Sequence, residues 1–294
     1  MSTFNRRQLL QTGAAAAFIG TTSPAALTQQ AASAKPSTPI HRKNNIHQSV
    51  SRWCYKATSL EDLCAYAAKI GLVGVDLLQP EEFEVPPRYG LLCTMGYVGA
   101  GDIKKALNRT ENHAGIEASL RKNVPLAAKA GVPNVITFSG NREGMSDEEG
   151  ARNCVIGLKR VKSIMEDAGV TLNVELLNSK RNHKDYMADH TAWGVQVMQE
   201  VDSPRIKLLY DIYHMQIMEG DLIATITENA KYLGHFHTGG VPGRHELDDT
   251  QEVNWPAVMR GIAATGYKGY VAHEFVPTRD PLKSLEEATT LCDV

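Results

Sequence analysis

The chain is expected to fold as a single α/β domain, a (β/α)8 TIM barrel preceded by an export leader. Three observations carry this. Short apolar runs of β character alternate with amphipathic helices, eight such runs can be counted, and four of the later ones end in a polar residue. The runs lie at 47–55, 73–78, 90–95, 134–138, 171–176, 207–212, 232–237 and 269–275. Eight is the number a closed parallel barrel needs.

Helical periodicity fills the gaps, at 60–70, 118–130, 151–168, 190–200 and 255–265, and several of these stretches stop at a glycine: Gly71, Gly131, Gly169 and Gly266. Ser59, with Asp62 three residues on, fits a helix N-cap. The same succession of helix, glycine stop and buried strand recurs along the chain, so one supersecondary unit is reused. Alternating units of this kind imply a parallel sheet, open or closed. No G-x-G-x-x-G follows the first strand and no Walker sequence is present, which removes the best evidence for an open nucleotide-binding sheet.

At 43% hydrophobic and 22% charged residues, the 294-residue chain can bury one large core. The formal charge of −2 comes without a basic block, so nucleic acid is not an expected partner. Cys54, Cys64, Cys93, Cys154 and Cys292 show no metal-ligand spacing and read as small apolar residues, mostly buried.

Residues 1–34 contain no acid and carry Arg6-Arg7, an apolar stretch around Ala14 to Gly20, and the small residues Ala32-Ser33-Ala34. This is the pattern of a twin-arginine signal peptide, so export, to the periplasm, is the expected fate. The apolar stretch is too short for a stable membrane anchor. A linker is expected at 35–45 and the barrel at 46–294.

In such a barrel the active site lies at the carboxyl ends of the strands. The runs at 171–176, 207–212, 232–237 and 269–275 bring Glu175, Asp211, His237 and Glu274 there. A lone glutamate at a strand end is usually a cap or ion-pair partner. Three carboxylates and an imidazole at one mouth would repel and desolvate each other unless a cation neutralised them. One divalent metal ion is therefore expected, and a set rich in oxygen with one imidazole suits Mn2+, Mg2+ or Co2+, with Zn2+ a further candidate. His235 and His237 are expected on opposite sides of their strand, with only His237 facing inward. His273 is expected as a structural histidine. His214, three residues past Asp211, is placed to donate to a substrate oxygen, and Arg244, in a glycine-rich loop, to grip a carboxylate or hydroxyls. Trp53 and Tyr55 are candidates for an apolar substrate wall.

The stretch Tyr210-Asp211-Ile212-Tyr213-His214-Met215-Gln216-Ile217-Met218-Glu219-Gly220-Asp221, then Gly234-His235 and Pro242-Gly243-Arg244-His245-Glu246, resembles the hydroxypyruvate isomerase branch of the xylose isomerase-like barrels. The resemblance runs from about Ile46 to the C-terminus. It implies Glu175, Asp211, His237 and Glu274 as metal ligands, with the two glutamates exchanging protons with substrate carbon on opposite faces. It also implies that His214 and Arg244 hold substrate oxygens. Two residues depart from that branch. His237 stands where glutamine is usual, as in ketose epimerases, and Val276 replaces a lysine that often follows the last glutamate by two.

The expected activity is isomerisation of a small hydroxylated carbonyl or sugar substrate through an enediolate. Rival readings are a ketose 3-epimerase, a lyase or hydrolase acting on a 3-keto sugar, and a sugar-binding barrel without catalysis. A homo-oligomer is compatible with any of them.

Overall fold

A run as apolar as that at 73–78, broken by a single acid, belongs in a sheet covered on both sides. The protein, a computed structural model describing residues 40–294, bears this out. The expected leader and the start of the expected linker lie outside the described residues. Residues 40–45 are tied to the barrel, the Ile40 N–H donating to Lys69 O at 3.2 Å and Arg42 Nε to Ile70 O at 2.9 Å.

The strands are β1 (His47–Ser51), β2 (Gly74–Leu78), β3 (Leu92–Gly96), β4 (Asn134–Thr137), β5 (Thr171–Leu176), β6 (Ile206–Asp211), β7 (Leu233–Thr238) and β8 (Tyr270–His273). They pair in chain order, all parallel, and β8 closes on β1 with Gln48 opposite Val271. Around them run α1 (Leu60–Lys69), α2 (His113–Lys129), α3 (Asp147–Ala168), α4 (Thr191–Val201), α5 (Ile212–Met218), α6 (Leu222–Asn229), α7 (Trp255–Ala264) and α8 (Pro281–Leu291).

Caps explain several boundaries. Ser59 Oγ accepts the Asp62 N–H at 3.0 Å, as the sequence suggests. Ser146 Oγ accepts the Glu149 N–H at 3.2 Å, and the acidic first turn of α3 complements the helix dipole, so α3 starts earlier than apolar periodicity alone indicates. The expected first run is cut short. Strand β1 ends at Ser51, and Arg52–Tyr55 form a 3-10 turn at its carboxyl end. The expected last run ends at His273, leaving Glu274 just beyond β8.

Side chains alternate between lumen and helices. Tyr210 and Phe236 face outward, fully buried, with their rings 6.0 Å apart, and Trp255, Leu63 and Ile70 are fully buried elsewhere in the same core. Each such side chain contributes roughly 1.5–3 kcal/mol through burial. All five cysteines are free, four of them buried. No described helix is long and apolar enough to cross a membrane.

The long loop after β7 is pinned to the loop after β8 by Glu246. Its carboxylate accepts the Thr278 N–H and hydroxyl, both at 2.8 Å, and the Ser284 hydroxyl at 2.9 Å. Burial would raise this carboxyl, but hydrogen bonds from its own backbone, Thr278 and Ser284 outweigh that and bring it to about 2. A lowered pKa means stability that is present above the ordinary carboxyl range and lost as pH falls. The stability gap between wild type and Glu246→Gln, read by chemical denaturation, is expected to be widest near neutrality and to close between about pH 4.5 and 2. An unchanging gap would count against the pinning role.

Candidate metal centre

Glu175 sits near the end of β5 and Asp211 at the end of β6, directly across from His237 of β7; Glu274 follows β8. The alternation that sends Tyr210 and Phe236 outward sends these four inward. One ligand atom from each lies within 4.8 Å of every other, and all four residues are buried. The expected convergence is therefore present in the fold.

One expectation is corrected. His235 and His237 are two residues apart, so they share a strand face rather than opposing each other. Both point inward, and both meet Asp76 Oδ2 of β2, His235 Nε2 at 3.0 Å and His237 Nε2 at 2.8 Å. Thr94 Oγ1 donates to the other Asp76 oxygen at 3.2 Å. Sequence reading missed Asp76. Its signal was there, a single acid inside the apolar run Gly74-Val75-Asp76-Leu77-Leu78, where an unpaired charge is costly.

Asp76 decides the tautomer of His237. With the proton held at Nε2, the Nδ1 lone pair faces the carboxylates, 3.3 Å from Glu175 Oε1 and 2.8 Å from Glu274 Oε2, yet has no hydrogen-bond partner. A buried ring nitrogen without a partner, ringed by three carboxylates, is the geometry of a metal ligand backed by a carboxylate. The donor set of three carboxylates and one imidazole fits a divalent cation.

Arg244 Nη2 donates to Asp211 Oδ2 at 2.9 Å and to Glu274 Oε2, and Nε donates to the Glu274 carbonyl at 3.2 Å. Trp53 Nε1 donates to the other Glu274 oxygen. Burial would raise Glu274, but Arg244 and His237 outweigh it and hold its pKa well below the usual carboxylate range. Burial wins at the other two. Glu175 is raised, and Asp211 is pushed to about 7. Burial disfavours charge on His237 as well, but Glu274, Asp76 and Glu175 raise its pKa well above the ordinary value, so a cation at Nδ1 would compete with a proton.

The glycine-rich loop turns tightly to place Arg244. Gly240 N–H donates to His245 O at 2.9 Å, and a Cβ on Gly240 would fall 2.2 Å from Glu246 O, so only glycine fits. Arg244 itself is left-handed, at φ 60, a conformation that costs a non-glycine residue about 1 kcal/mol. Its guanidinium lies between the Trp53 ring, 5.3 Å away, and the Tyr213 ring, 5.2 Å away.

His214 lies in the first turn of α5 rather than on an open loop, because Asp211 caps that helix by accepting the His214 N–H at 3.2 Å. Its Nδ1 accepts the Asn178 N–H at 3.1 Å, which leaves Nε2 without a hydrogen-bond partner, 3.6 Å from Asp211 Oδ2. His273 is buried between Thr238 and Gln48, the structural role expected of it. Tyr55 is buried against Phe275, whereas Trp53 lines a cavity together with Glu175, Glu274, Arg244 and His183, a histidine that sequence reading passed over.

A closed parallel barrel with carboxylates and an imidazole at the carboxyl ends of its strands defines the class, a (β/α)8 barrel with a candidate metal centre. The chain belongs to the Xylose isomerase-like TIM barrel family, whose model matches residues 88–291. It spans about half the length of the first curated relatives it matches, 48% of one from Danio rerio and 46% of one from Homo sapiens, each at 30% identity. A longer match is to the hydroxypyruvate isomerase of Escherichia coli strain K12, 27% identical over 72% of this chain and 85% of that one. Among solved structures, an AP endonuclease of family 2 from Brucella melitensis superposes with a TM-score of 0.74 at 22% identity, covering 82% of this chain and 97% of its own. The 3-keto-D-glucoside 4-epimerase YcjR of E. coli gives 0.70 at 17%, covering 84% and 98%. These last two speak for the fold.

Since Asp76 orients His237, Asp76→Asn is expected to weaken Mn2+ binding by about 10- to 100-fold while the thermal transition stays cooperative. Calorimetric titration of both proteins with Mn2+ reads this directly, and equal affinities would remove Asp76 from the site.

Proposed function

We propose that this chain is a divalent-metal-dependent isomerase of the hydroxypyruvate isomerase type, moving a proton at the carbon beside the carbonyl of a small hydroxylated compound. The observation that carries the reading is the unpartnered His237 Nδ1 among Glu175, Asp211 and Glu274, deep in a barrel mouth. The names of the curated relatives support it, hydroxypyruvate isomerase and 2-oxo-tetronate isomerase among them.

A divalent ion held by Glu175, Asp211, His237 and Glu274, of the Mn2+, Mg2+ or Co2+ type with Zn2+ as a further candidate, supplies Lewis-acid stabilisation of charge developing on substrate oxygen. The chain supplies the proton transfers. Glu175 and Glu274 come from β5 and the end of β8, on different sides of the mouth, so one carboxylate can take a proton from carbon while the other returns one. The free Nε2 of His214 and Nη1 of Arg244 are donors for substrate oxygens. Asp76 holds a proton at His237 Nε2 and so directs Nδ1 toward the cation.

Export remains part of this proposal through the Arg6-Arg7 leader. Changing Arg6 and Arg7 together to lysine should retain the protein in the cytoplasm; unchanged export would end that reading.

Glu175→Gln and Glu274→Gln should each lower solvent deuterium incorporation into substrate by at least about 100-fold without unfolding the barrel. Near-wild-type exchange in either variant would remove that residue from the chemistry. Product mass separates the rivals, because isomerisation or epimerisation conserves the substrate's carbon skeleton whereas cleavage releases a fragment.

A further inference from the structure

The mouth of the barrel is divided by chemistry. Its charged groups arrive from β5 to β8 and the loop after β7. From the other side, the ends of β2 to β5 and the loop after β3 contribute Leu77, Tyr97, Ile103, Ile136, Phe138 and Leu177, and all these side chains line one cavity of about 280 Å3 with Glu175, Glu274 and Arg244. Tyr97 and Phe138 give this wall two aromatic rings.

Charge matters as much as shape. Among the described residues lining the cavity, Arg244 is the only lysine or arginine. Its Nη2 is committed to Asp211 and Glu274 and its Nε to the Glu274 carbonyl, which leaves Nη1 as a single donor. A firm grip on a carboxylate uses two parallel donors. Counting Asp76, four carboxylates against one guanidinium and a divalent ion leave a formal charge of −1. An anionic substrate would bring an uncompensated charge against an apolar wall, at a desolvation cost that a neutral one avoids.

We infer that the substrate is a neutral keto sugar in ring or glycosidic form, its carbonyl and neighbouring hydroxyl at the carboxylates and its C–H face on Tyr97 and Phe138, rather than a short 2-oxo acid. Sugar rings present such an apolar face, and aromatic rings are the surfaces that cover it. A three-carbon acid has no such face and would leave the wall bare. The inference rests on the proton-transfer reading above.

The test follows deuterium wash-in from D2O, with the Mn2+-loaded protein and three probes. Dihydroxyacetone and hydroxypyruvate share a three-carbon skeleton and differ by CH2OH against carboxylate, which isolates charge. Methyl 3-keto-glucopyranoside adds the ring face. Exchange is expected to be fastest with the keto glycoside, and hydroxypyruvate should fall at least about tenfold below dihydroxyacetone in kcat/KM. Phe138→Ala should lower the preference for the glycoside over dihydroxyacetone by about tenfold. Phe138→Leu, which keeps most of the volume but loses the ring, should do the same if the alanine variant does not fold. Hydroxypyruvate exchanging as fast as dihydroxyacetone, or an unchanged preference in the folded Phe138 variant, overturns the inference while proton transfer stands. Exchange into none of the three probes overturns the proton-transfer reading and this inference together.

Discussion

Three carboxylates buried within 4.8 Å of one another set the terms for the rest of this barrel. Two unit charges that close, at the effective dielectric of a protein site, repel by roughly 3 kcal/mol. The chain meets part of that cost itself. Arg244 bridges Asp211 and Glu274, and His237 stands between Glu175 and Glu274. The relief is uneven, since Glu274 has Arg244, His237 and Trp53 beside it, while Asp211 and Glu175 have their pKa values raised by burial. Two carboxyls that resist ionisation are the residue of charge that a divalent ion would neutralise, so the site's own imbalance is the argument for a cation.

A rigid frame is what lets such a cluster persist. Each member sits at or next to a strand end, and each strand is held by hydrogen bonds to two neighbours, so the backbone that carries all four is fixed by the ladder. The compensating groups are held with equal care. Arg244 sits in a left-handed conformation stabilised by the turn around Gly240, and Glu246 anchors the same loop to the one after β8. Strain at Arg244 is tolerated because both of its carboxylate partners gain from it.

Much of this was legible in the sequence because barrels obey a simple rule. Polar residues that end apolar runs point to the catalytic mouth, and Glu175, Asp211, His237 and Glu274 could be picked out that way. Boundaries were harder to read. Asp211 ends β6 and caps α5 at once, so no break in pattern separates strand from helix, and α6 and α8 also lacked a clear signal. Asp76 was hidden for another reason. It lies within an apolar strand rather than at its end, and its partners, His235 and His237, are some 160 positions away in the chain. No local pattern reports a contact between β2 and β7 across the lumen. The mistaken assignment of His235 to the outer face concealed it further, since two inward histidines would have called for an inward acid.

Asp76 also shows why the two halves of the barrel cannot be treated as a chemical half and a scaffold half. Strands β1 to β4 contribute none of the four converging ligands, and none of them ends in a charged residue. Yet the nitrogen that His237 offers depends on β2, because without a carboxylate at Nε2 the imidazole could turn its proton toward Glu175 and Glu274 and satisfy them as a donor. That nitrogen would then carry the proton and be closed to a metal. By holding that proton on the far side, Asp76 leaves the three carboxylates under-compensated and Nδ1 open. A carboxylate buried deeper in the lumen thus keeps one ring nitrogen of His237 available among the three carboxylates.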